Sequence, residues 1–395
     1  MTTFKKAKCV PSTIMSTAVT ALILISLLLV TSSCQAPGSS AAHIDPNFNP
    51  GNGKSPTAAK TSFSRTITID HTKVPNTDQL NFPILVSIAD PTLKTIANGG
   101  HVQNTNGYDI LFYSDAAGTS PLFWEMESYD GLAGTVKAWV QLPTVSHLTD
   151  TVFYMFYGAA TISTFQSVTA NVWDATYKGV WHLSEPTAAN NLDSTANANT
   201  GVPTNGPAQT SGKISGSLSF AGVNSYVIDG FTNQPQGNVA VTLSAWVKFN
   251  NVAGGLELVS FFGTDSAVNK SGYYLYRNGA GNAVVEFGSG LGGATGVTVL
   301  APGIWYFLAG VYDGVTNKVY VNGVQEGSVL FGAANFSGNT HTIGCYIQVG
   351  PVPALFLAGQ GDEARVSVNR SADYLRTEFN NENSPVTFIT LGAEQ

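Results

Sequence analysis

The segment Lys318-Val-Tyr-Val-Asn-Gly-Val324 decides the fold class. Its side chains alternate with the period of a β-strand, and Asn-Gly supplies the two positive-φ residues of a tight hairpin. Similar runs recur at residues 65–69, 137–141 and 243–249, with further Asn-Gly and Asp-Gly pairs between strands. One short helix is predicted, over residues 372–381. Many short strands at regular spacing predict an all-β protein built from β-sandwiches.

The composition limits the classes of function. The 395 residues are 43% hydrophobic, enough for a core, and only 11% charged, against about 25% in an average protein. The formal net charge is −7. Nucleic-acid binding needs clustered Lys and Arg, so it is not expected. Low charge and abundant Gly, Thr, Ser and Asn are typical of extracellular β proteins.

The amino terminus has the pattern of an export signal. Lys5, Lys6 and Lys8 precede an apolar run at residues 18–30, which is too short for a membrane span of about 20 residues. Small residues then precede Cys34. We interpret residues 1–33 as a signal peptide of the lipoprotein type, with Cys34 acylated; ordinary secretion is the alternative. The expected location is the cell envelope, with the membrane reached only through the lipid anchor.

The rest of the chain divides into two β domains in series. Residues 34–60 are rich in Pro, Gly, Ser and Ala and predict a flexible linker. The first β-sandwich domain is predicted over residues 61–165, an interdomain connection over 166–178, and the second domain over 179–395. With Cys9 in the signal peptide and Cys34 as the anchor, a disulfide framework is not expected.

The first domain resembles the bacterial domain-of-unknown-function family 2341. The resemblance rests on Arg65-Thr-Ile-Thr-Ile69, Leu80-Asn-Phe-Pro-Ile-Leu-Val86, Pro121-Leu-Phe-Trp-Glu-Met-Glu-Ser128 and Thr151-Val-Phe-Tyr-Met-Phe-Tyr-Gly158. The family usually has Arg where this chain has Leu111. This resemblance implies an architecture but no activity.

The second domain resembles laminin-G-like, concanavalin A-like jelly rolls. The matching pieces include Val180-Trp-His-Leu183, Thr242-Leu-Ser-Ala-Trp-Val247, Val319-Tyr-Val-Asn-Gly323 and Gly361-Asp-Glu-Ala-Arg-Val366. The resemblance implies two antiparallel sheets packed face to face, in proteins that bind glycans, proteins or matrix. It also implies a calcium site that joins Asp193 to Asp362. The alternative is an Asx-turn at Asp193 and an ion pair between Asp362 and Arg365.

Two groups of side chains are candidates for binding or catalysis. Tyr274 and Tyr276 share one face of a strand and are candidates for stacking on sugar rings, whereas Tyr273 and Leu275 share the other face. Glu125 and Glu127 also share a face, as the paired carboxylates of glycosidases do, but we interpret them as acids on a solvated face. The six histidines show no nucleophile or metalloprotease spacing.

The sequence favours a non-catalytic binding protein. Its jelly roll would recognise a carbohydrate or an extracellular protein, with calcium as a possible cofactor and no other expected. Two other functions stay open: a glycan-active hydrolase on the concanavalin-like fold, and a passive spacer of the cell envelope.

Overall fold

The computed structural model describes residues 62–185, 189–250, 259–264, 272–288, 293–348 and 352–395. These residues belong to one compact unit. The predicted signal peptide, Cys34 and the linker lie outside the described residues. None of the described helices combines the length and the apolar character needed to cross a membrane.

The first sandwich is built from six consecutive strands that form two sheets. The strands are β1 Phe63–Ile69, β2 Gln79–Ala89, β3 Leu111–Tyr113, β4 Trp124–Asp130, β5 Thr135–Val145 and β6 Thr151–Tyr157. β1, β6 and β3 are neighbours in one sheet, and β2, β5 and β4 form the other. Every pairing is antiparallel. Their inward side chains, such as Ile67, Phe82, Val140 and Phe153, form one apolar core.

The second sandwich begins where the interdomain connection ends. Its strands are β7 Tyr177–Trp181, β8 Val202–Thr204, β9 Ala208–Ser211, β10 Gly216–Ala221, β11 Tyr226–Asp229, β12 Val241–Phe249, β13 Val259–Thr264, β14 Tyr273–Arg277, β15 Asn282–Phe287, β16 Ala294–Val299, β17 Trp305–Tyr312, β18 Thr316–Val321, β19 Val324–Leu330, β20 His341–Ile343, β21 Tyr346–Gln348, β22 Val352–Ala354 and β23 Ala358–Ser367.

Two large sheets of the second sandwich face each other. One has the order β19-β18-β17-β12-β23-β10-β9, with β7 also paired to β23, and the other has the order β16-β15-β14-β13-β20-β11-β8. Alternation along the strands explains the core: Leu275 of β14 and Leu308 of β17 point inward. The predicted hairpin is confirmed, because Val321 pairs with Val324. Asn322 and Gly323 adopt φ of 51° and 72°, as that tight turn requires.

The carboxyl terminus returns to the first sandwich. The predicted helix is present as α1, Ala372–Asn383, and is followed by α2, Pro385–Phe388, and β24, Ile389–Leu391. β24 pairs with the free edge of β1, and Phe388 and Ile389 join the first core. This corrects the predicted extent of the second domain, 179–395. β24 therefore covers the edge of β1, and Phe388 and Ile389 complete the first core, although they lie more than 200 positions further along the sequence.

The two sandwiches share an apolar junction. Leu85 of β2 and Trp139 of β5 pack with Trp173 and Tyr177 and with Ile214 of the second sandwich. Helix α1 lies beside this junction, where the side-chain amide of Asn381 bonds the backbone N–H and C=O of Leu85 at 2.7 and 3.0 Å. The junction brings together the side chains described next.

Candidate functional site

A cleft of about 700 Å³ lies between the two sandwiches. The first sandwich contributes Asn81, Phe123 and Gln141, and the connection contributes Asn171 and Asp174. Asn81 adopts a left-handed conformation, φ 47°, which Asn tolerates better than most residues. The volume lies within the range of about 300–1,000 Å³ that is usual for small-molecule sites.

The opposite wall of the cleft comes from the start of the second sandwich. Lys178 lies on β7, and Asn197 and Asn233 lie on loops. Asn233 donates to the side-chain oxygen of Asn197 at 2.9 Å, and Asn197 donates to the backbone oxygen of Lys178 at 3.2 Å. The two loops are therefore held to each other and to the strand by amide hydrogen bonds.

The exposed lining of the cleft is polar and balanced in charge. Asn81 and Asn171 are exposed, and neither side-chain amide has a hydrogen bond to another described residue. Asp174 and Lys178, both partly exposed, contribute one charge of each sign. Amides donate and accept at once, so this surface suits a neutral ligand rich in hydroxyl groups.

The floor of the cleft is aromatic and buried. Trp173 and Tyr177 pack edge to face at 5.1 Å, and Trp173 lies 5.4 Å from Trp139 of the first sandwich. The indole N–H of Trp173 donates to Glu125 at 2.7 Å. Trp173 therefore connects the cleft to a set of buried charges behind it.

The buried charges are centred on Arg365 of β23. Its guanidinium donates to Glu363 at 2.7 Å, to Glu382 of α1 at 2.5 Å, and to Glu378. It also lies over the ring of Trp139, 4.7 Å from its centroid. Planar guanidinium groups suit such multiple pairing and stacking. Helix α1 is thereby attached to β23, an interior strand of the second sandwich.

Glu125 and Glu127 are not on a solvated face, contrary to the sequence-based interpretation. Both are buried at the junction, where Glu127 accepts from the indole N–H of Trp139 at 2.8 Å. Burial, together with the nearby Glu363 carboxylate, raises the pKa of Glu127 to about 8. Strand alternation correctly placed the two carboxyls on one face, but the neighbouring sandwich covers that face.

His182 follows β7 and lies between two of these carboxylates. Its Nδ1 is 2.9 Å from Glu363, and its Nε2 is 3.3 Å from Glu125. Burial disfavours the imidazolium, but the carboxylates of Glu363 and Glu125 outweigh this effect and raise the pKa of His182 well above its usual value. No pattern in the sequence around His182 identifies these partners, which lie far away along the chain.

The predicted calcium ligands both have hydrogen-bonding roles. Asp193 accepts from the backbone N–H groups of Val180, Thr195 and Asn199 at 2.8–3.0 Å, so it forms the Asx-turn weighed as the alternative. Asp362 accepts from the backbone N–H of Lys213 at 2.7 Å and does not pair with Arg365.

Two clusters of possible metal ligands occur among the described residues, and neither contains Asp193 or Asp362. They are Asp70, His71 and Asp150, and Glu127, His182 and Glu363. The calcium site stays a prediction.

The predicted tyrosine pair lies away from the cleft. The alternation is as expected, because Tyr273 and Leu275 point into the core. Tyr274 is only 3% exposed and packs against Tyr346 with ring centroids 4.5 Å apart. Tyr276 is partly buried and donates to Glu286 at 2.9 Å. A ligand-binding role for Tyr274 and Tyr276 stays a prediction, and these contacts leave Tyr274 little ring surface for it.

The Asp193 turn gives a test that separates hydrogen bonding from calcium. We expect Asp193→Ala to lower the free energy of unfolding by about 3 kcal/mol, because backbone N–H donors lose a charged acceptor. Urea denaturation would measure the loss in EDTA and in excess calcium. An equal loss in both supports the hydrogen-bonding role alone, whereas a loss confined to calcium would support the predicted metal site.

Comparison with solved structures gives distant similarities. Domain 4 of an extracellular GH43 arabinanase from Geobacillus stearothermophilus, solved with arabinotriose, is 21% identical with a TM-score of 0.42, over 52% of this chain and 98% of that one. The binding domain of botulinum neurotoxin DC, solved with rat synaptotagmin II, is 11% identical with a TM-score of 0.40, over 52% of each chain. This chain therefore spans about half the length of the toxin domain.

No curated protein matches the chain at a significant level. A family model does match, over residues 221–384, and its description is concanavalin A-like lectin/glucanases superfamily. These residues run from the end of β10 to the end of α1 and include most strands of both large sheets. The second sandwich is therefore a concanavalin A-like jelly roll.

Proposed function

We propose that this protein is an exported, lipid-anchored binding protein without catalytic activity, and that the cleft between its sandwiches takes a neutral carbohydrate. The observation that supports this proposal is the lining of the cleft. Five side-chain amides, from Asn81, Gln141, Asn171, Asn197 and Asn233, surround a space of about 700 Å³. Sugar hydroxyls both donate and accept hydrogen bonds, as these amides do.

The charges of the cleft favour a neutral ligand over an anionic one. Asp174 and Lys178 carry opposite charges, so the lining has no excess of either sign. The partly exposed ring of Phe123 offers an apolar surface beside the amides. An anionic polymer would need a surplus of Lys or Arg, which the described lining does not have.

The arrangement of carboxylates favours binding over hydrolysis. Glycoside hydrolysis needs two carboxyl groups that flank the bond to be cleaved. Asp174 is the one acid among the described residues that line the cleft. Glu125 and Glu127, the paired acids of the sequence, are buried and accept hydrogen bonds from Trp173 and Trp139. A glycan hydrolase at this cleft would need a different pair of carboxyl groups.

Several parts of the proposal rest on the sequence alone. These are the signal peptide over residues 1–33, the acyl anchor on Cys34, the resemblance of the first sandwich to family 2341, and calcium at Asp193 and Asp362. The alternatives are a protein ligand, a passive spacer of the cell envelope, and a glycan-active hydrolase that uses a different pair of carboxyl groups.

The test is a glycan array with the full processed chain, followed by calorimetry with the best neutral oligosaccharide. We expect Asn171→Ala to weaken binding about 3–10-fold, as the loss of one neutral hydrogen bond of about 1 kcal/mol predicts. Asn106→Ala is the matched control, since Asn106 is also exposed but lies in a turn outside the cleft. Equal oligosaccharide affinity in Asn171→Ala and wild type, or no glycan binding at all, would contradict the proposal. Capture of an envelope protein would then favour a protein ligand.

A further inference from the structure

Three buried side chains at the junction converge on one point. Glu127 of β4, His182 and Glu363 of β23 each offer one ligand atom, and these atoms all lie within 4.8 Å of one another. The three residues are 2%, 7% and 1% exposed. We propose that they bind a divalent transition metal, with zinc the best fit, and that this ion joins the two sandwiches. The proposal does not depend on what the cleft binds.

Two of the three side chains accept a hydrogen bond from a second residue, and the third lies beside another carboxylate. Trp139 donates to Oε2 of Glu127 at 2.8 Å, and Arg365 donates to Oε2 of Glu363 at 2.7 Å. Such partners orient the ligands in known metal sites and are as much a part of the site as the ligands.

The partner of His182 is Glu125, whose Oε2 lies 3.3 Å from Nε2. A metal-binding imidazole commonly donates its other N–H to a carboxylate, which fixes the ring and its tautomer. Glu125 is in turn held by the indole of Trp173 at 2.7 Å and by Ser194 at 2.7 Å. Nδ1 then faces Glu363, and a bound ion would replace the proton that Nδ1 shares with this carboxylate.

Of the three candidate ligand atoms, Oε1 of Glu127 is the buried one without a hydrogen-bond partner among the described residues, whereas Nδ1 of His182 and Oε1 of Glu363 are hydrogen-bonded to each other. Oε1 of Glu363 and Nδ1 of His182 are 2.9 Å apart. Two ligands on a tetrahedral ion with bonds of about 2.0–2.1 Å lie about 3.3 Å apart. A small increase in the distance between Nδ1 of His182 and Oε1 of Glu363 would let both atoms bind one ion, with Oε1 of Glu127 as the third ligand.

The donor set selects the class of metal. Calcium takes six to eight oxygen ligands, which three side chains do not supply. One imidazole and two carboxylates suit zinc, which binds both kinds of ligand. The buried charges also favour a cation. Six buried carboxyl groups surround one buried guanidinium, that of Arg365, when His182 is a neutral ligand; the acids are Glu125, Glu127, Asp362, Glu363, Glu378 and Glu382.

A bound ion would act as a cross-link. Glu127 belongs to the first sandwich, whereas His182 and Glu363 belong to the second. The backbone is adapted to this placement: β23 has an irregularity opposite β12, and Glu363 there adopts φ 51°, uncommon for a residue other than glycine. Glu363 and Arg365 then face the junction, while Ala364 and Val366 face the jelly-roll core.

The experiment measures metal in the full processed protein, expressed with added zinc and purified without chelator. We expect stoichiometric zinc by mass spectrometry. Unfolding in EDTA and refolding without metal should lower the melting temperature by several degrees, and refolding with zinc sulfate should restore it. Refolding with cobalt chloride should produce the visible absorption of tetrahedral Co²⁺.

Glu127→Gln and His182→Gln should each abolish stoichiometric zinc. Glu382→Gln is the matched control, because Glu382 is buried in the same set of charges but is not one of the three ligands, and it should retain the metal. Wild-type protein that refolds with only trace metal and no cobalt absorption overturns the proposal, whether or not the variants fold. Equal metal in Glu127→Gln and wild type also overturns it, since the ion then binds elsewhere.

Discussion

Arg365→Met is expected to lower the free energy of unfolding by about 4 kcal/mol. Removing one member of a buried ion pair costs about 3–5 kcal/mol, because the remaining charge stays buried without its partner. Here three carboxylates lose their common cation: Glu363, Glu378 and Glu382. Helix α1 also loses its attachment to β23. Urea denaturation, followed by both fluorescence and far-ultraviolet circular dichroism, would measure the effect.

Arg376→Met is the control for this substitution. Arg376 also lies on α1, but it donates to the backbone oxygen of Asn322 at 3.0 Å and stacks on Phe379, with no carboxylate partner in the described structure. We expect it to cost about 1 kcal/mol. If the two substitutions lower the free energy of unfolding equally, the buried ion pairs of Arg365 contribute no more to stability than an ordinary hydrogen bond. The role given to Arg365 would then be wrong.

Deletion of residues 385–395 is expected to unfold the first sandwich while leaving the jelly roll folded. The deletion removes Phe388 and Ile389 from the first core and strips β24 from the edge of β1. Truncation of one buried Phe or Ile to Ala costs about 2–5 kcal/mol, and a whole domain is stable by about 5–15 kcal/mol. Limited proteolysis with mass spectrometry should show cleavage within residues 62–165 and protection of the second sandwich.

Two point variants distinguish the loss of buried side chains from the loss of chain length in this deletion. Phe388→Ala should destabilise the first sandwich by about 4 kcal/mol, because Phe388 is buried. Val386→Ala should change stability by about 0.5 kcal/mol or less, because Val386 is 75% exposed. A deletion variant that resists protease as wild type does would contradict the dependence of the first sandwich on the carboxyl terminus.

The strands, their faces and the helix were predictable from local patterns. Alternation identified β5, β12 and β18, and it separated the inward Tyr273 from the outward Tyr274. The Asn322-Gly323 pair marked a hairpin because few other residues adopt positive φ at both positions. In each case the signal lies within a few neighbouring residues and reflects backbone geometry.

Burial of the paired acids could not be predicted from their own segment. A strand with Glu at alternate positions looks the same whether that face meets water or a second sandwich. Glu125 and Glu127 accept hydrogen bonds from Trp173 and Trp139, and the cation beyond these rings is Arg365, more than 200 residues away in the sequence. A Trp in an apolar strand predicts a core residue and gives no sign of a carboxylate partner.

The sequence by itself determined that this chain folds as facing sheets with tight hairpins, because alternation and positive-φ residues act over a few neighbouring positions. Only the tertiary structure decided that the last strand completes the first sandwich, that the amides form one cleft, and that Glu127, His182 and Glu363 meet behind it. These groupings depend on which surfaces pack together, and that choice is made by shape and burial over the whole chain rather than by any local pattern.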